Sequence, residues 1–238
     1  MPICGMIWLN NMPLYVLSPL ILQKIIWIPT RIIMKFFGRI QISGLENLKD
    51  IKTNVIFAPN HSGEMDPILI PASLGFFSRF SPIFYTSREQ EFYVNCGWRK
   101  HFYGGILFEM WGAYSVFPGQ GDYAKGLVNH LRIVGIGGNL CMFPEGGTSK
   151  DGNLRPAKGG IAYLAEKTGR PIVPVSMYGV VQISAREFFG RKRNIAIHFG
   201  KPVYAKDLLV NTAGGNDYKA ASQKVMDLVG EGLRISVL

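Results

Sequence analysis

The stretch that decides the fold runs from Asn54 to Pro67 and reads NVIFAPNHSGEMDP. Its first half is a short apolar run, which predicts a buried strand over residues 54–58. Its second half contains His61 and ends in Asp66-Pro67, a pair typical of a helix start with Asp as N-cap and Pro at the first helical position. The stretch therefore predicts a strand, a polar loop and a helix in succession.

The loop places a histidine and a carboxylate a short, fixed distance apart. On one helix, five residues would turn His61 and Asp66 about 140° apart. In a loop with Gly63 as its flexible point, the carboxylate can instead fold back onto one ring nitrogen of the histidine, which leaves the other nitrogen free to act as a base. The alternative is a solvated histidine and an aspartate that only caps the helix, because short motifs match by chance.

Short apolar runs alternate with helical periodicities along the rest of the chain, which is typical of an α/β fold. The predicted strands cover residues 39–43, 54–58, 82–86, 112–117, 140–143, 172–178 and 195–199, and the predicted helices cover residues 68–77, 123–134, 161–167 and 218–233. A hydrophobic content of 47% over 238 residues supplies one large core. We expect a single α/β domain over residues 39–238, with a central mixed sheet flanked by helices.

Polar, glycine-bearing loops follow three of the predicted strands, after Ala58, Phe143 and Val175. In open α/β sheets such strand ends carry the site, so we expect these loops to converge. Glu145 lies in the second loop and is followed by glycines, where backbone amides and an acceptor oxygen can come close together. A glutamate that only caps a helix or forms a salt bridge is the alternative.

Residues 6–37 are the most apolar part of the chain, but polar residues and prolines interrupt them: Pro13, Pro19, Gln23, Lys24, Pro29 and Arg31. The interruptions argue against about 20 uninterrupted apolar residues that would cross a membrane. A signal peptide is not expected either, because no basic region precedes the apolar run and no clear small-residue cleavage site follows it. We therefore expect residues 1–38 to be a membrane-associating segment of short amphipathic helices that lie in the membrane surface. A helix buried on the domain is the alternative, and whether the segment spans the membrane stays open.

The formal charge of +10 indicates an anionic partner, which can be nucleic acid, an acidic lipid surface or a phosphorylated substrate. No nucleic-acid-binding motif accompanies the charge, so nucleic acid is not expected as a partner. Cys4, Cys96 and Cys141 are far apart and lack C-x-x-C spacing, which predicts neither a disulfide framework nor a metal site. A reducing compartment fits these cysteines, and we expect a membrane-associated protein on the cytoplasmic face.

Three ordered blocks of the chain resemble those of the glycerolipid acyltransferase family, which includes the 1-acylglycerol-3-phosphate acyltransferases. The blocks are N-H-x4-D at Asn60 to Asp66, F-P-E-G at Phe143 to Gly146 and V-P-V at Val173 to Val175. Three blocks in the family's order are much more specific than any one of them.

The resemblance implies transfer of a fatty acyl group from an acyl thioester, acyl-CoA or acyl-ACP, to a hydroxyl of a glycerolipid or lysophospholipid in phospholipid biosynthesis or remodelling. It implies that His61 takes the proton of that hydroxyl, that Asp66 orients the ring, and that the acyl group passes directly to the acceptor. Glu145 and Gly146 would bind the head of the acceptor. The thioester would be a cosubstrate, with no bound cofactor, and the partners would be an anionic lipid surface and acyl carrier protein or CoA.

The chain departs from the family's pattern at two positions associated with the acceptor's phosphate. Thr148 and Pro118 stand where the family usually has arginine. Arg155 and Lys158 would supply the missing charge; if they are only surface residues, the acceptor lacks a terminal phosphate. The alternative function is a non-catalytic membrane or lipid-binding protein that retains the acyltransferase fold.

Overall fold

The computed structural model describes residues 12–63, 65–88, 106–117, 122–209, 211–212 and 215–237. The helices are α1 (Met12–Phe36), α2 (Asp66–Ser73), α3 (Ile106–Trp111), α4 (Tyr123–Gly126), α5 (Val128–Gly135), α6 (Gly160–Thr168), α7 (Ala185–Phe189), α8 (Ala205–Leu208) and α9 (Tyr218–Val237), with a short 3-10 helix at Leu45–Leu48. The strands are β1 (Gln41–Ser43), β2 (Ile56–Pro59), β3 (Ile83–Ser87), β4 (Ala113–Ser115), β5 (Asn139–Cys141), β6 (Ile172–Tyr178), β7 (Ala196–Phe199), β8 (Asn211–Thr212) and β9 (Gly215–Asn216).

Seven of the strands form one sheet in the order β1-β7-β6-β2-β5-β3-β4. All neighbours in this sheet are parallel except β6 and β7, which are antiparallel, so the sheet is mixed. The predicted α/β class with a central mixed sheet is thus confirmed. The carboxyl ends of β2, β3, β5 and β6 lie along one edge of the sheet, which we call the carboxyl edge.

Helices cover both faces of the sheet, and β2 lies at its centre with all four residues buried. Because successive strand residues point to opposite faces, Phe57 joins the cluster under α1 and α2, whereas Ile56 joins the cluster under α6 and α9. A strand buried on both faces must be apolar at every position, which explains the continuous run that predicted it.

The N-terminal helix α1 differs from the predicted short helices, because it continues for 25 residues with Pro19 and Pro29 inside it. Contacts with the domain hold it in place. The buried amide of Gln23 donates to the carbonyl oxygens of Ile83 (2.7 Å) and Trp111 (3.1 Å) and accepts from the backbone N–H of Ile83 (3.0 Å). We attribute the continuity of the helix to this docking, which outweighs the local effect of proline.

Two further side chains of α1 bind backbone carbonyl groups at and beyond the end of α2. The indole N–H of Trp27 donates to Leu74 O at 3.0 Å, and the guanidinium of Arg31 donates to Ala72 O at 2.9 Å. The helix therefore docks along the domain through one face, with Met34 in the core.

Candidate active site

The loops that follow β2 and β5 converge at the carboxyl edge, as predicted. The two strands are parallel neighbours with Phe57 opposite Cys141, so their loops leave the sheet side by side. The backbone N–H of His61 donates to Glu145 Oε1 at 2.7 Å, and the backbone N–H of Ser149 donates to His61 O at 2.8 Å. The second loop therefore fixes both backbone polar groups of His61.

Asn60 sets the point at which the chain leaves β2. Its side-chain amide donates to Met177 O at 3.0 Å and accepts from the backbone N–H of Met177 at 2.8 Å, so it pairs with β6 as a backbone peptide would. The same amide donates to Ser62 Oγ at 3.0 Å. These bonds turn the next residue, His61, out of the sheet.

The carboxylate of Asp66 binds one ring nitrogen of His61. Its Oδ2 lies 2.9 Å from His61 Nδ1 and also accepts from the backbone N–H groups of Ser62 (2.6 Å) and Gly63 (2.9 Å). The predicted N-cap role of Asp66 is wrong, because Met65 takes the cap position and the carboxylate is occupied by the loop. Since the wholly buried carboxylate accepts from Nδ1, we assign the ring proton to Nδ1, which makes Nε2 a hydrogen-bond acceptor.

The second ring nitrogen of His61 faces a hydroxyl. Thr148 Oγ1 lies 3.2 Å from Nε2, and the side chain of Thr148 is exposed. The ring of Phe143 stacks on the imidazole with centroids 4.2 Å apart and holds its plane. A hydroxyl group that arrives from solvent can therefore reach the same nitrogen.

Glu145 is 2% exposed and bridges two backbone amides. Oε1 accepts from His61 N, and Oε2 accepts from Arg155 N at 2.9 Å. Burial raises the pKa of the Glu145 carboxyl, and the two amide donors oppose that shift. Both carboxylate oxygens of Glu145 thus bind backbone amides, and the carboxylate joins the loop of His61 to that of Arg155.

Two cations lie over the glycines that follow Glu145. A Cβ built on Gly146 would be 2.8 Å from the Lys158 side chain, and one built on Gly147 would be 2.6 Å from Arg155 Nη1. Larger residues would push these side chains away. Sequence reasoning missed Arg88, which follows β3 at the same edge and donates to Gly146 O at 2.8 Å. The available signal was its position two residues after the predicted strand over residues 82–86. Pro118 lies outside the described residues.

Comparisons with known proteins identify the family of this chain. Residues 39–178 match the Acyltransferase family. The chain belongs to this family.

Two curated relatives of this chain have acyltransferase names. A chloroplastic 1-acyl-sn-glycerol-3-phosphate acyltransferase of Brassica napus is 31% identical over 182 residues, which are 74% of this chain and 49% of that protein. The 1-acyl-sn-glycerol-3-phosphate acyltransferase of Borreliella burgdorferi is 28% identical over 166 residues, which are 70% of this chain and 59% of that protein. The chain thus spans about half to three fifths of the length of these relatives.

A solved structure shares the fold of this Acyltransferase member. It is the crystal structure of the 1-acyl-sn-glycerophosphate acyltransferase PlsC from Thermotoga maritima, with a TM-score of 0.61 and 21% identity. The match covers 91% of this chain and 79% of PlsC. The likeness shows that the mixed sheet and its helices are arranged as in that protein.

The V-P-V block of the Acyltransferase family lies inside β6 and not at its end. Val173, Pro174 and Val175 pair with Phe57, Ala58 and Pro59 of β2. The loop predicted after Val175 was therefore placed too early, because β6 continues to Tyr178. The block therefore pairs with β2, the strand that directly precedes the loop of His61.

Proposed function

We propose that this chain transfers a fatty acyl group from an acyl thioester to a hydroxyl of a glycerolipid. The observation that carries the proposal is the imidazole of His61, with Nδ1 bound to a buried carboxylate and Nε2 turned to a hydroxyl. Membership in the Acyltransferase family and the names of the curated relatives support a glycerolipid acceptor in phospholipid biosynthesis.

The reaction begins when the hydroxyl of the acceptor replaces that of Thr148 on His61 Nε2. His61 takes the proton as the acceptor oxygen attacks the thioester carbonyl, and Asp66 stabilises the imidazolium that forms. When the tetrahedral intermediate collapses, the carbon–sulfur bond breaks and the proton on Nε2 passes to the thiolate. The products are an ester and a free thiol, and His61 returns to its neutral state.

An assay of acyl transfer tests this function directly. The full chain is incubated with labelled acyl-CoA or acyl-ACP and a panel of lysophospholipids, lysophosphatidic acid among them, in detergent micelles. We expect a labelled ester with at least one acceptor, and the panel also identifies the donor. No transfer with any pair would favour the alternative, a lipid-binding protein that retains the acyltransferase fold.

Arg155, Lys158 and Arg88 together form a cationic cradle suited to an acceptor phosphate. The chain has Thr148 at the position of the family's arginine, and the glycines beside it leave room for Arg155 and Lys158. Arg155 Nη1 lies 3.4 Å from the carbonyl oxygen of Thr148, whose hydroxyl contacts the base. The cradle therefore adjoins the point at which the acceptor hydroxyl must bind.

Removing the cradle should weaken binding of phosphate-bearing acceptors. A charge-assisted hydrogen bond contributes about 1.5–3 kcal/mol, so the double variant Arg155→Gln and Lys158→Gln should raise KM for lysophosphatidic acid about 10–100-fold with little change in kcat. The exposed Lys150 provides the control, since Lys150→Gln removes a charge from the same loop outside the cradle. An unchanged KM in the double variant would indicate that the acceptor carries no phosphate at this position.

Thr148 competes with the acceptor for His61 in the proposed reaction. Thr148→Val removes the hydroxyl and keeps the shape of the side chain, so KM for the acceptor should fall by up to about fivefold, the equivalent of one hydrogen bond of about 1 kcal/mol. Steady-state kinetics with varied acceptor measure this change. A loss of kcat larger than a hundredfold would instead make the Thr148 hydroxyl a participant in the chemistry.

The docking of α1 favours a helix that lies in the membrane surface. Residues Leu17–Phe36 are long and apolar enough to cross a membrane by length and composition. One face, however, is bound to the domain, and the opposite face presents side chains that are 44% to 62% exposed: Leu17, Ile21, Ile25, Ile28, Ile32 and Phe36. This stripe would lie among the acyl chains while the domain stays in water, on the cytoplasmic face. Residues 1–38 would thus act as the anchor, and residues 39–238 as the acyltransferase domain.

A further inference from the structure

The short helix α7 carries an exposed tip, which we define as Phe189, Arg191 and Lys192. Hydrogen bonds hold α7 in place on the domain. Ser184 and Glu187 form a reciprocal capping box at the start of α7, and Arg193 donates both to Glu187 (3.0 Å) and to Val181 O (2.6 Å). The side chain of Phe188 anchors the helix in the core.

The α7 tip combines an exposed aromatic side chain with two exposed cationic side chains. Phe189 is 57% exposed, and Arg191 and Lys192 are exposed beside it. Arg191 has a backbone φ of 55°, in the left-handed region that residues other than glycine rarely adopt. Such conformations persist where the surrounding structure holds them, and they concentrate at functional positions.

The α7 tip is continuous with the end of α1. The ring of Phe189 meets that of Phe37 edge to face at 5.1 Å, and the guanidinium of Arg191 lies 5.1 Å from the ring centroid of Phe36. Phe36 is the last residue of the exposed stripe of α1 and is itself 56% exposed. Two exposed aromatic rings and two cations therefore form one surface.

The α7 tip also lies at the carboxyl edge, where His61 lies. It belongs to the segment that follows β6, and that segment contacts the loop after β5 through a hydrogen bond from the Gln182 side chain to Lys150 O. A surface that bound the tip would therefore lie beside the loop that contacts His61.

We propose that the α7 tip is a second membrane contact, which inserts Phe189 into the interface and places Arg191 and Lys192 on the phosphates of anionic lipids. The cationic charge and the continuity with the exposed stripe of α1 select an anionic lipid surface as the partner. With α1 it fixes the orientation of the domain, so that the carboxyl edge faces the lipid. This inference deepens the proposed membrane association of α1 and rests on it, but it does not depend on the chemistry of His61.

Vesicle sedimentation of the full chain tests the proposal, with phosphatidylcholine alone and with a 3:1 mixture of phosphatidylcholine and phosphatidylglycerol, in low and high salt. Each cation near an anionic surface contributes about fivefold in binding. The double variant Arg191→Gln and Lys192→Gln should therefore bind the mixed vesicles at least about tenfold more weakly in low salt, and the difference should shrink in high salt. Phe189→Ser should weaken binding to both kinds of vesicle.

The matched control removes two exposed lysines at the opposite edge of the sheet, Lys201→Gln and Lys206→Gln, and should bind as the unmodified chain does. Equal losses in the two double variants would reduce the effect to net charge and overturn the proposal, and so would unchanged binding of the Arg191 and Lys192 variant. Acyl transfer in detergent micelles should be the same in all these variants. That readout separates a failure of the membrane contact from a failure of the proposed chemistry.

Discussion

Replacing His61 with alanine should lower kcat for acyl transfer by about 10²–10⁴-fold, the usual contribution of a positioned general base. The physical reason is that alanine removes Nε2, the ring nitrogen that now lies 3.2 Å from Thr148 Oγ1 and would take the proton of the acceptor. The measurement is kcat with labelled thioester at saturating acceptor. Binding to vesicles should be unchanged, because the lipid-facing residues belong to α1 and α7.

His198→Ala is the matched control, because this histidine binds Ser43 Oγ at 2.9 Å on strands away from the site. It should retain full activity. A second variant, Asp66→Asn, tests the tautomer of His61. An amide nitrogen placed against Nδ1 would favour a proton on Nε2, so activity should fall although the imidazole is still present. A His61→Ala variant that keeps kcat within about threefold of the unmodified chain would contradict the role of a base.

The central part of the fold could be predicted from sequence because its strands are buried on both faces. The runs over residues 54–58 and 172–178 are apolar at nearly every position, and both became neighbouring strands of the sheet. It could also be predicted that His61 and Asp66 do not share a helix, since Asp66-Pro67 marks a helix start, and α2 indeed begins at Asp66. In both cases the identities of a few consecutive residues were enough for the prediction.

The remaining differences arise from contacts that sequence periodicity does not contain. Helices α3, α7 and α8 have four to six residues, too few to show a helical repeat. The continuity of α1 depends on the amide of Gln23, which binds backbone groups 60 and 88 residues away. Arg88 joins the cradle only because β3 ends at the same edge as β2 and β5. Each of these features depends on tertiary packing.

Replacing Glu145 should lower the stability of the fold. The carboxylate joins the loop of His61 to that of Arg155 through two backbone amides, and both loops depend on it. Glu145→Ala leaves these two donors without their partner and should lower the free energy of unfolding by about 2–5 kcal/mol. Glu145→Gln should cost less, about 1–3 kcal/mol, because one amide still finds an oxygen while the other meets an NH₂ group. Urea unfolding measures both losses.

The pH dependence of stability distinguishes the charge of Glu145 from its hydrogen bonds. Burial raises the pKa of its carboxyl in the folded chain above the ordinary value of 4.5. The folded state then binds the proton more tightly than the unfolded state, so this group favours folding below pH 4.5 and loses that contribution as the pH rises through its raised pKa. Relative to Glu145→Gln, the unmodified chain should therefore lose stability as the pH rises from about 4.5 to 7. Parallel stability curves for the unmodified chain and Glu145→Gln would mean that the two amides fully offset the burial of the charge.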